Sequence, residues 1–405
     1  MPASTTDCPS VSLNITDPEF NRDPYPTLEE WRAMGPVVYN SWHDRYMVFS
    51  YRNCAKVLGD VTRFNSQGNV ERFTKVFGGV TMESLDSPRH NQVRGIWAPF
   101  FQRDSLQRQS EMISGIVDAQ VQPFAERLRG GETLDGIADM ARDIPTLVIA
   151  RLLGVEPDMH QQFKVWSDAM GGTTTASHDV SEQGRTKVAE GLAATAAVNS
   201  YIADLMTQRR GRAGTDLVSQ MVNHDFAPQM DEQEIIASNS QLIFAGNETT
   251  AKLMGTVLVA LAQHPDQRRL ILDDRSLIPQ AIEEIHRHTT ITQTVPRHVC
   301  AEDVMLADVA LPLGAELMPM LGAANRDENR WERPATLDIT RKSRQHLGFA
   351  FGMHVCLGLN LARLEVQIWL NRLLDILPDF ELGGDVDYGR NFGVRGPLGV
   401  PLCAV

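Results

Sequence analysis

The ten residues Phe349 to Gly358 read F-A-F-G-M-H-V-C-L-G, and an apolar run with helical spacing starts at Leu359. Cys356 therefore lies in a glycine-punctuated loop that leads into a helix. A cysteine acts as a permanent metal ligand as the thiolate, and backbone N–H groups at a helix start stabilise that charge. Glycines also let the backbone approach a flat cofactor closely. The stretch predicts that Cys356 is a metal ligand, and a single axial thiolate is one mode of haem ligation.

The alternative is that Cys356 has a structural role, because a lone free cysteine usually packs as a small buried hydrophobe. The other cysteines neither support nor replace it as a ligand. The chain has five cysteines, an odd number, scattered and without a C-x-x-C pair, which argues against a disulfide framework or a zinc site. They are Cys8, Cys54, Cys300, Cys356 and Cys403.

The bulk composition limits the class of protein. The chain has 405 residues with no compositional break, 42% apolar and 22% charged residues, and a net charge of −13, which argues against a nucleic-acid or anionic-membrane surface. The polar N-terminus lacks a signal-peptide pattern, and no segment is apolar for the length of a membrane span. We expect one domain over residues 1–405, soluble, cytoplasmic, monomeric, without nucleic acid or a membrane anchor.

Local patterns predict a mainly α fold with a small β portion. A short helix over Tyr25 to Met34 and a hairpin of VVYN and YMVFS place β structure in residues 25–85, ahead of a helical body over 86–405. The longest helix runs from the cap Asp231, with Glu234 reaching back, to His264, roughly 50 Å. Residues 168–186 are small and polar and predict a mobile surface loop.

The spacing F-x-x-G-x-H-x-C-x-G resembles the haem-thiolate signature of the cytochrome P-450 family, with the matching residues Phe349, Gly352, His354, Cys356 and Gly358. The resemblance runs from about residue 23 to 400. It implies the cytochrome P-450 fold, whose long central helix crosses the domain over the haem. It also implies haem b as the cofactor, with Cys356 as the iron ligand.

Halfway along the long helix, the stretch F-A-G-N-E-T-T, Phe244 to Thr250, resembles the oxygen-binding site of that family. Ala245 and Gly246 would contact the cofactor, and Glu248 and Thr249 would deliver protons for O–O cleavage. The glycine and the threonines favour a local opening of the helix. Many members carry aspartate at the position of Glu248. The alternative, a solvated helix face, fits poorly between two apolar flanks.

The stretch E-E-I-H-R places Glu284 and Arg287 three residues apart on one helical face. Such a pair is usually a surface bridge. In the family, a pair with this spacing supports the core beneath the haem together with a downstream arginine, for which we choose Arg333. We expect Glu284 and Arg287 to support the fold.

Haem propionates require donors or cations, and His90 and Arg94 lie at i, i+4 behind Ser87 and Pro88. The spacing resembles the H-x-x-x-R pair of the family, and Arg297 and His346 resemble its other propionate contacts. Taken singly, each could equally be a surface charge.

The resemblance also implies a substrate pocket on the distal side of the haem. Its expected lining is mostly apolar, as in sites for small organic ligands, although each residue could equally belong to the ordinary core. Gln241 and Gln293 could orient a polar group of a terpenoid or aromatic substrate. The expected lining residues are Phe73, Phe77, Val80, Met82, Gln241, Leu242, Ile291, Thr292, Gln293, Phe392 and Val394.

These features favour a monooxygenase that inserts one atom of dioxygen into a small hydrophobic substrate by hydroxylation or O-dealkylation. The alternative is a haem-thiolate protein that catalyses a redox-neutral rearrangement, or binds ligands without oxygenation. The resemblance implies electrons from a ferredoxin or flavodoxin-like partner. Arg341, Lys342 and Arg344 precede the cysteine loop and could form its docking face, although solvation alone explains such a run more often.

Overall fold

The computed structural model describes residues 8–176, 179, 181–343 and 345–405. It confirms a mainly helical fold with small sheets. The helices are α1 Pro18–Arg22, α2 Tyr25–Met34, α3 Tyr51–Gly59, α4 Val70–Phe77, α5 Arg89–Trp97, α6 Arg103–Gln107, α7 Ser110–Arg129, α8 Asp143–Leu153, α9 His160–Thr175, α10 Glu182–Arg209, α11 Leu217–Asn223, α12 Glu232–Gln263, α13 Pro265–Asp273, α14 Ile278–His288, α15 Leu321–Ala324 and α16 Leu359–Ile376.

The strands are short and form sheets at the edge of the helical body. A six-stranded sheet has the order β1-β2-β3-β9-β6-β4, and smaller sheets join β10-β11-β5 and β7-β8. The predicted hairpin is present as β2 and β3. The strands are β1 Ser10–Val11, β2 Val37–Asn40, β3 Arg45–Val48, β4 Phe64–Asn65, β5 Leu134–Asp135, β6 Arg297–Val299, β7 Val304–Leu306, β8 Val309–Leu311, β9 Glu316–Pro319, β10 Phe380–Leu382 and β11 Pro401–Ala404.

The six-stranded sheet joins distant parts of the chain. β3 pairs in parallel with β9, with Tyr46 opposite Leu317, and β9 pairs antiparallel with β6. The expected boundary between a β-containing part at 25–85 and a helical remainder is therefore wrong, because late strands complete the early sheet. The prediction of one domain over the whole chain stays a prediction.

Helix α12 is the predicted long helix. It has 32 residues, and the side chain of Asp231 accepts a hydrogen bond from the Gln233 N–H at 2.7 Å. The predicted capping box is incomplete, because Glu234 bonds Arg89 of α5 at 2.5 Å. The helix continues through Gly246 without the expected opening. It contacts α8, α9, α10, α14 and α16, so it crosses the main core.

The predicted loop over residues 168–186 is wrong over most of its length. Helix α9 continues to Thr175 and α10 begins at Glu182, capped by Ser181, whose side chain accepts from the Gly184 N–H at 3.1 Å. Residues 177, 178 and 180 lie outside the described residues. Among the helices of the described part of the chain, none is long and apolar enough to span a membrane.

Candidate functional site

The cysteine loop is folded tightly between α3 and the start of α16. The Cys356 N–H donates to the Phe349 carbonyl at 3.0 Å, and the Val355 N–H donates to the Gly352 carbonyl at 3.1 Å. Gly352 has φ +74°, and a Cβ there would lie 2.6 Å from the Leu58 carbonyl oxygen of α3. Glycine is needed at Gly352 for both reasons, backbone angle and lack of space.

Cys356 combines accessible surface with an enclosed position. Its side chain is exposed, yet burial raises the pKa of its thiol, while the Gly358 N–H and the charge of Arg94 act in the opposite direction. Both observations fit a sulfur that faces an interior cleft. Ala245 is likewise exposed halfway along α12, although Ile243 and Asn247, two residues away on either side, are buried.

Four basic side chains gather beside this cleft, and we call His90, Arg94, Arg297 and His354 the open cluster. The rings of His90 and His354 lie 4.3 Å apart, and His354 Nε2 lies 3.1 Å from the Ser66 hydroxyl. Burial lowers the pKa of His90 to about 4 and that of Arg297 to about 10. The cluster therefore holds basic groups in surroundings that penalise their charged forms.

Two buried nitrogens of the open cluster lack a hydrogen-bond partner among the described residues. They are His90 Nε2 and one terminal nitrogen of Arg297, although His90 is 0% and Arg297 2% exposed. Buried polar groups are normally paired, so these nitrogens indicate a bound ligand, and the Arg297 nitrogen is a donor that requires an acceptor. Carboxylates beside a cysteine thiol would satisfy them. The residues present therefore fit a haem with its propionates.

His346, which we expected at a propionate, contacts the start of the cysteine loop and Glu283 of α14. Its Nδ1 accepts from the Gly348 N–H at 3.0 Å, and its Nε2 lies 3.5 Å from Glu283. Glu283 also receives Arg363 at 2.6 Å, and these two partners hold the pKa of Glu283 at about 2 against the effect of burial. The His346 ring therefore stabilises the cysteine loop through its contacts with Gly348 and Glu283.

Glu284 and Arg287 form a fully buried ion pair, with two contacts of 2.8 Å and both side chains 0% exposed. Arg341 also donates to Glu284 at 3.0 Å, and the hydroxyl of Ser343 donates to it as well. Arg287 further donates to the Asn325 and Pro334 carbonyls. We call Glu284, Arg287, Arg341 and Ser343 the closed cluster.

Arg341 occupies the place in the closed cluster for which we chose Arg333. Arg333 is exposed, and its guanidinium lies 3.9 Å from Glu332. Arg341 is also unsuited to docking a partner, because it is paired with Glu284 and its side chain is only 13% exposed. Of the other predicted docking residues, Lys342 is exposed and Arg344 lies outside the described residues.

Glu248 and Thr249 lie next to Ala245 in the middle of α12. The Thr249 hydroxyl donates to the Ala245 carbonyl at 2.8 Å. Glu248 forms an ion pair of 2.6 Å with Lys252, whose Nζ also donates to the Val394 carbonyl at 2.7 Å. Lys252 is only 4% exposed. Lys252 is not among the residues expected from the sequence, although its i, i+4 spacing from Glu248 is a usable signal.

The expected pocket residues divide into two sets. Phe77 packs against Phe244 of α12 with ring centroids 5.6 Å apart, and Thr292 forms a β-bridge with Val394. Phe392 instead packs against Phe20 in a separate hydrophobic core, 5.4 Å between ring centroids. The amide nitrogen of Gln293 donates to the Thr290 carbonyl at 2.6 Å, and its side chain is 0% exposed, so it stabilises a turn.

Two carboxylates near the open cluster were missed. Asp86 lies 3.9 Å from His354 Nε2 and accepts from the Ser66 N–H at 3.0 Å. Glu83 accepts from Gln241 Nε2 of α12 at 2.5 Å. Both precede α5 in the stretch M-E-S-L-D-S-P. Acidic residues in such a stretch are usually solvated loop residues, so the sequence gives no signal for them.

Comparison with known proteins decides the family. The family model "Cytochrome P450" matches residues 35–377. The chain belongs to the cytochrome P450 family. Cytochrome P450 proteins are haem-thiolate proteins, so haem with an axial thiolate is the cofactor.

Similar cytochrome P450 proteins of bacteria cover nearly the whole chain. Vitamin D3 dihydroxylase of Streptomyces griseolus is 31% identical over 95% of this chain and 93% of its own. Mycinamicin IV hydroxylase/epoxidase of Micromonospora griseorubida is 32% identical over 93% of this chain and 94% of its own. The structure of cytochrome P450 CYP109Q5 from Chondromyces apiculatus has a TM-score of 0.84 at 28% identity, covering 98% of both chains. The chain is thus a cytochrome P450 monooxygenase.

Proposed function

We propose that this cytochrome P450 hydroxylates or O-dealkylates a small organic substrate that is largely apolar. The proposal is supported by the aromatic contact between Phe77 and Phe244 and by the exposed methyl group of Ala245 on the central helix. Two similar proteins are named as hydroxylases of vitamin D3 and of mycinamicin IV. A terpenoid or aromatic skeleton fits such a lining.

Cys356 would bind the haem iron, and the open cluster would receive the propionates. The haem, when bound through a thiolate, supplies the chemistry that activates dioxygen. The Gly358 N–H and Arg94 favour the charged form of the sulfur, and His90 and Arg297 supply the unpartnered nitrogens. Charge-assisted hydrogen bonds to carboxylates would offset the desolvation of the Arg297 cation.

Glu248 and Thr249 would move protons into the site. A carboxylate beside a hydroxyl can pass protons through a region that excludes bulk water. Lys252 holds the Glu248 carboxylate in one orientation and ties it to the Val394 carbonyl. Val394 is bridged to Thr292, another expected pocket residue. We propose that Lys252 positions the acid of this relay.

Electrons would come from a ferredoxin or flavodoxin-like protein that docks beside the cysteine loop. Phe351 of that loop is 45% exposed and lies against α3, where Gly59 faces its ring. Arg52 and Lys56 of α3 are exposed, as is Lys342. An apolar centre with basic residues around it suits an acidic partner, since complementary charge speeds association.

The observation that carries the proposed function is the cysteine loop, which combines an accessible sulfur with unpartnered basic side chains beside it. The test is the spectrum of the reduced holoenzyme with carbon monoxide, together with ¹⁸O₂ incorporation into an apolar substrate. We expect a Soret band shifted far to the red, which Cys356→Ser abolishes, and one labelled oxygen atom per product. A red-shifted Soret band with carbon monoxide but without any ¹⁸O-labelled product would favour the redox-neutral or ligand-binding alternative.

The docking face has its own test. In Lys56→Glu, we expect the rate of reduction by an acidic ferredoxin to fall and its dependence on salt to weaken, because exposed charges steer association. Lys187→Glu on α10 makes the same charge change away from the cysteine loop and serves as the control. Equal rates in both variants would contradict this docking face.

A further inference from the structure

Glu83 and Gln241 form an acid-amide pair on the wall of the cleft. Gln241 Nε2 of α12 donates to Glu83 Oε2 at 2.5 Å, and Gln241 is 5% exposed. Gln241 precedes Ala245 by four residues, so both project from the same face of the helix. Ala245 is exposed to the cleft, so Gln241 lies on the cleft-facing side of the helix. Its amide therefore holds the Glu83 carboxylate at the surface of the cleft.

The backbone around Glu83 is held in a short helix, so the side chain of Glu83 starts from a fixed position. Glu83 is the middle residue of a short 3₁₀ helix, Met82–Ser84, in which Met82 is 8% and Ser84 0% exposed. The Ser84 hydroxyl donates to the Thr81 carbonyl at 2.9 Å. The neighbours point inward and pack, while the Glu83 side chain remains exposed.

Glu83 lies where its charge acts on the groups around the cleft. Burial is the main influence on Arg297 and on Cys356, but the charge of Glu83 also raises the pKa of both groups. Coulombic effects of this kind extend beyond direct contact. The position of the carboxylate follows from its contact with Gln241, which holds it against the cleft-facing side of α12.

Glu83 also lacks a cation of its own. Within the described part of the chain, Gln241 donates its one hydrogen bond, and no Arg, Lys or His lies within ion-pair distance of it. Arg297, whose pKa the charge of Glu83 raises, would bind the cofactor. Covering a carboxylate with an apolar substrate is costly unless a cation neutralises it.

We infer that the Glu83–Gln241 pair recognises a positively charged nitrogen of the substrate, so that the substrate class is an amine-bearing, otherwise apolar molecule. This inference rests on the proposed function, because it names the substrate of the same site. Gln241 would hold one carboxylate oxygen in place, and the other would receive the cation. An ionised partner strengthens such a contact relative to a neutral donor, which gives selectivity.

The test uses two probes of equal shape, 4-isopropylphenyl-trimethylammonium and 4-tert-butyl-isopropylbenzene. The quaternary nitrogen is charged at every pH and has no lone pair with which to bind iron. Affinities for the holoenzyme are measured by equilibrium dialysis and by the Soret shift. We expect Glu83→Gln to lower the ratio of cation to neutral affinity by about 10- to 100-fold, because the electrostatic attraction between the carboxylate and the quaternary cation is lost.

Variants separate the local contact from general charge effects. Gln241→Leu frees the carboxylate and should lower the same ratio by a smaller factor. Glu71→Gln on α4 makes the same charge change at an exposed glutamate paired with Lys75, and the ratio should stay as in the wild type. The carbon monoxide spectrum of each variant checks that the site is intact.

The outcomes distinguish this inference from the proposed function. An unchanged ratio in Glu83→Gln, or no detectable binding of the cation, overturns the inference. If ¹⁸O-labelled product then still forms from the neutral probe, the proposed function stands without it. If neither probe is oxygenated by an enzyme with the thiolate spectrum, the proposed oxygenation of small apolar substrates fails as well. A ratio that falls equally in Glu71→Gln overturns the local contact.

Discussion

The closed cluster and the open cluster are two groups of buried or partly buried basic and acidic side chains, and they differ in how their polar atoms are satisfied. Glu284 and Arg287 find all their partners within the protein, from Arg341, Ser343 and backbone carbonyls. His90 and Arg297 each retain a buried nitrogen without a partner in the described part of the chain. A self-sufficient cluster fixes the fold, whereas an incomplete one indicates a bound ligand.

The largest expected effect comes from opening the closed cluster. Arg287→Met leaves the Glu284 carboxylate buried with fewer partners, and we expect the free energy of unfolding to fall by about 3–5 kcal/mol. Thermal unfolding of the holoenzyme measures this. Arg269→Met removes an exposed pair with Asp273 and should cost at most about 1 kcal/mol. A similar small loss in both variants would show that the closed cluster is not a fold support.

The open cluster should respond in the opposite way. Arg297→Met removes a buried charge that lacks a full set of protein partners, so we expect little loss of stability but about 10- to 100-fold faster release of haem. Transfer of haem to an excess of apomyoglobin measures the release. Arg63→Met, which removes a partly exposed pair with Asp60, is the control. Unchanged release from Arg297→Met would contradict a propionate contact at Arg297.

Thr249 is intermediate between the closed cluster and the open cluster. Its hydroxyl has a partner in the protein, the Ala245 carbonyl, but can give up this hydrogen bond for another. Thr249→Ala should still bind substrate, but we expect product per electron to fall about tenfold or more as reducing equivalents are lost to peroxide. Product and peroxide are quantified against electrons consumed. Thr256→Ala, two turns later on α12, should keep the wild-type yield. An unchanged yield in Thr249→Ala would refute its role in proton delivery.

The smallest expected effect concerns His288, beside the closed cluster on α14. Burial and then the charge of Arg326 lower the pKa of His288 to about 3. The unfolded chain therefore binds a proton that the folded chain does not, so stability falls as pH drops from about 6.5 toward 3. His288→Gln should reduce this slope by about 1 kcal/mol per pH unit or less. Urea unfolding at pH 6.5, 5.5 and 4.5 measures the slope, and an equal slope in both proteins would contradict it.

The sequence predicted the features that depend on local spacing. The N-cap Asp231, the end of α12 before Pro265 and the helix over Tyr25–Met34 follow from capping residues and prolines. The loop of Cys356 was predictable because its glycines mark a backbone that other residues do not adopt easily. The polar stretch at 168–186 misled us, since small residues there pack α9 against α10, as Gly191 does against Thr173.

The sequence did not predict which distant partner each charge would choose. Arg333 and Arg341 are equally plausible from composition, and only the folded chain brings Arg341 to Glu284. Glu234 could cap its own helix but bonds Arg89 instead. His346 and Gln293 resemble site residues, yet the backbone turns them toward buried supports. Such choices depend on tertiary packing, which spacing along the chain does not encode.

The parallel pairing of β3 with β9 has a consequence for synthesis of the chain. Residues 45–48 leave the ribosome early, but their sheet partner at 316–319 follows some 270 residues later. At about 5–20 residues per second, the edge of β3 remains unpaired for roughly 15 to 50 seconds. Shielding by chaperones over that interval, rather than the final stability of the fold, is therefore expected to limit the yield of the protein in cells.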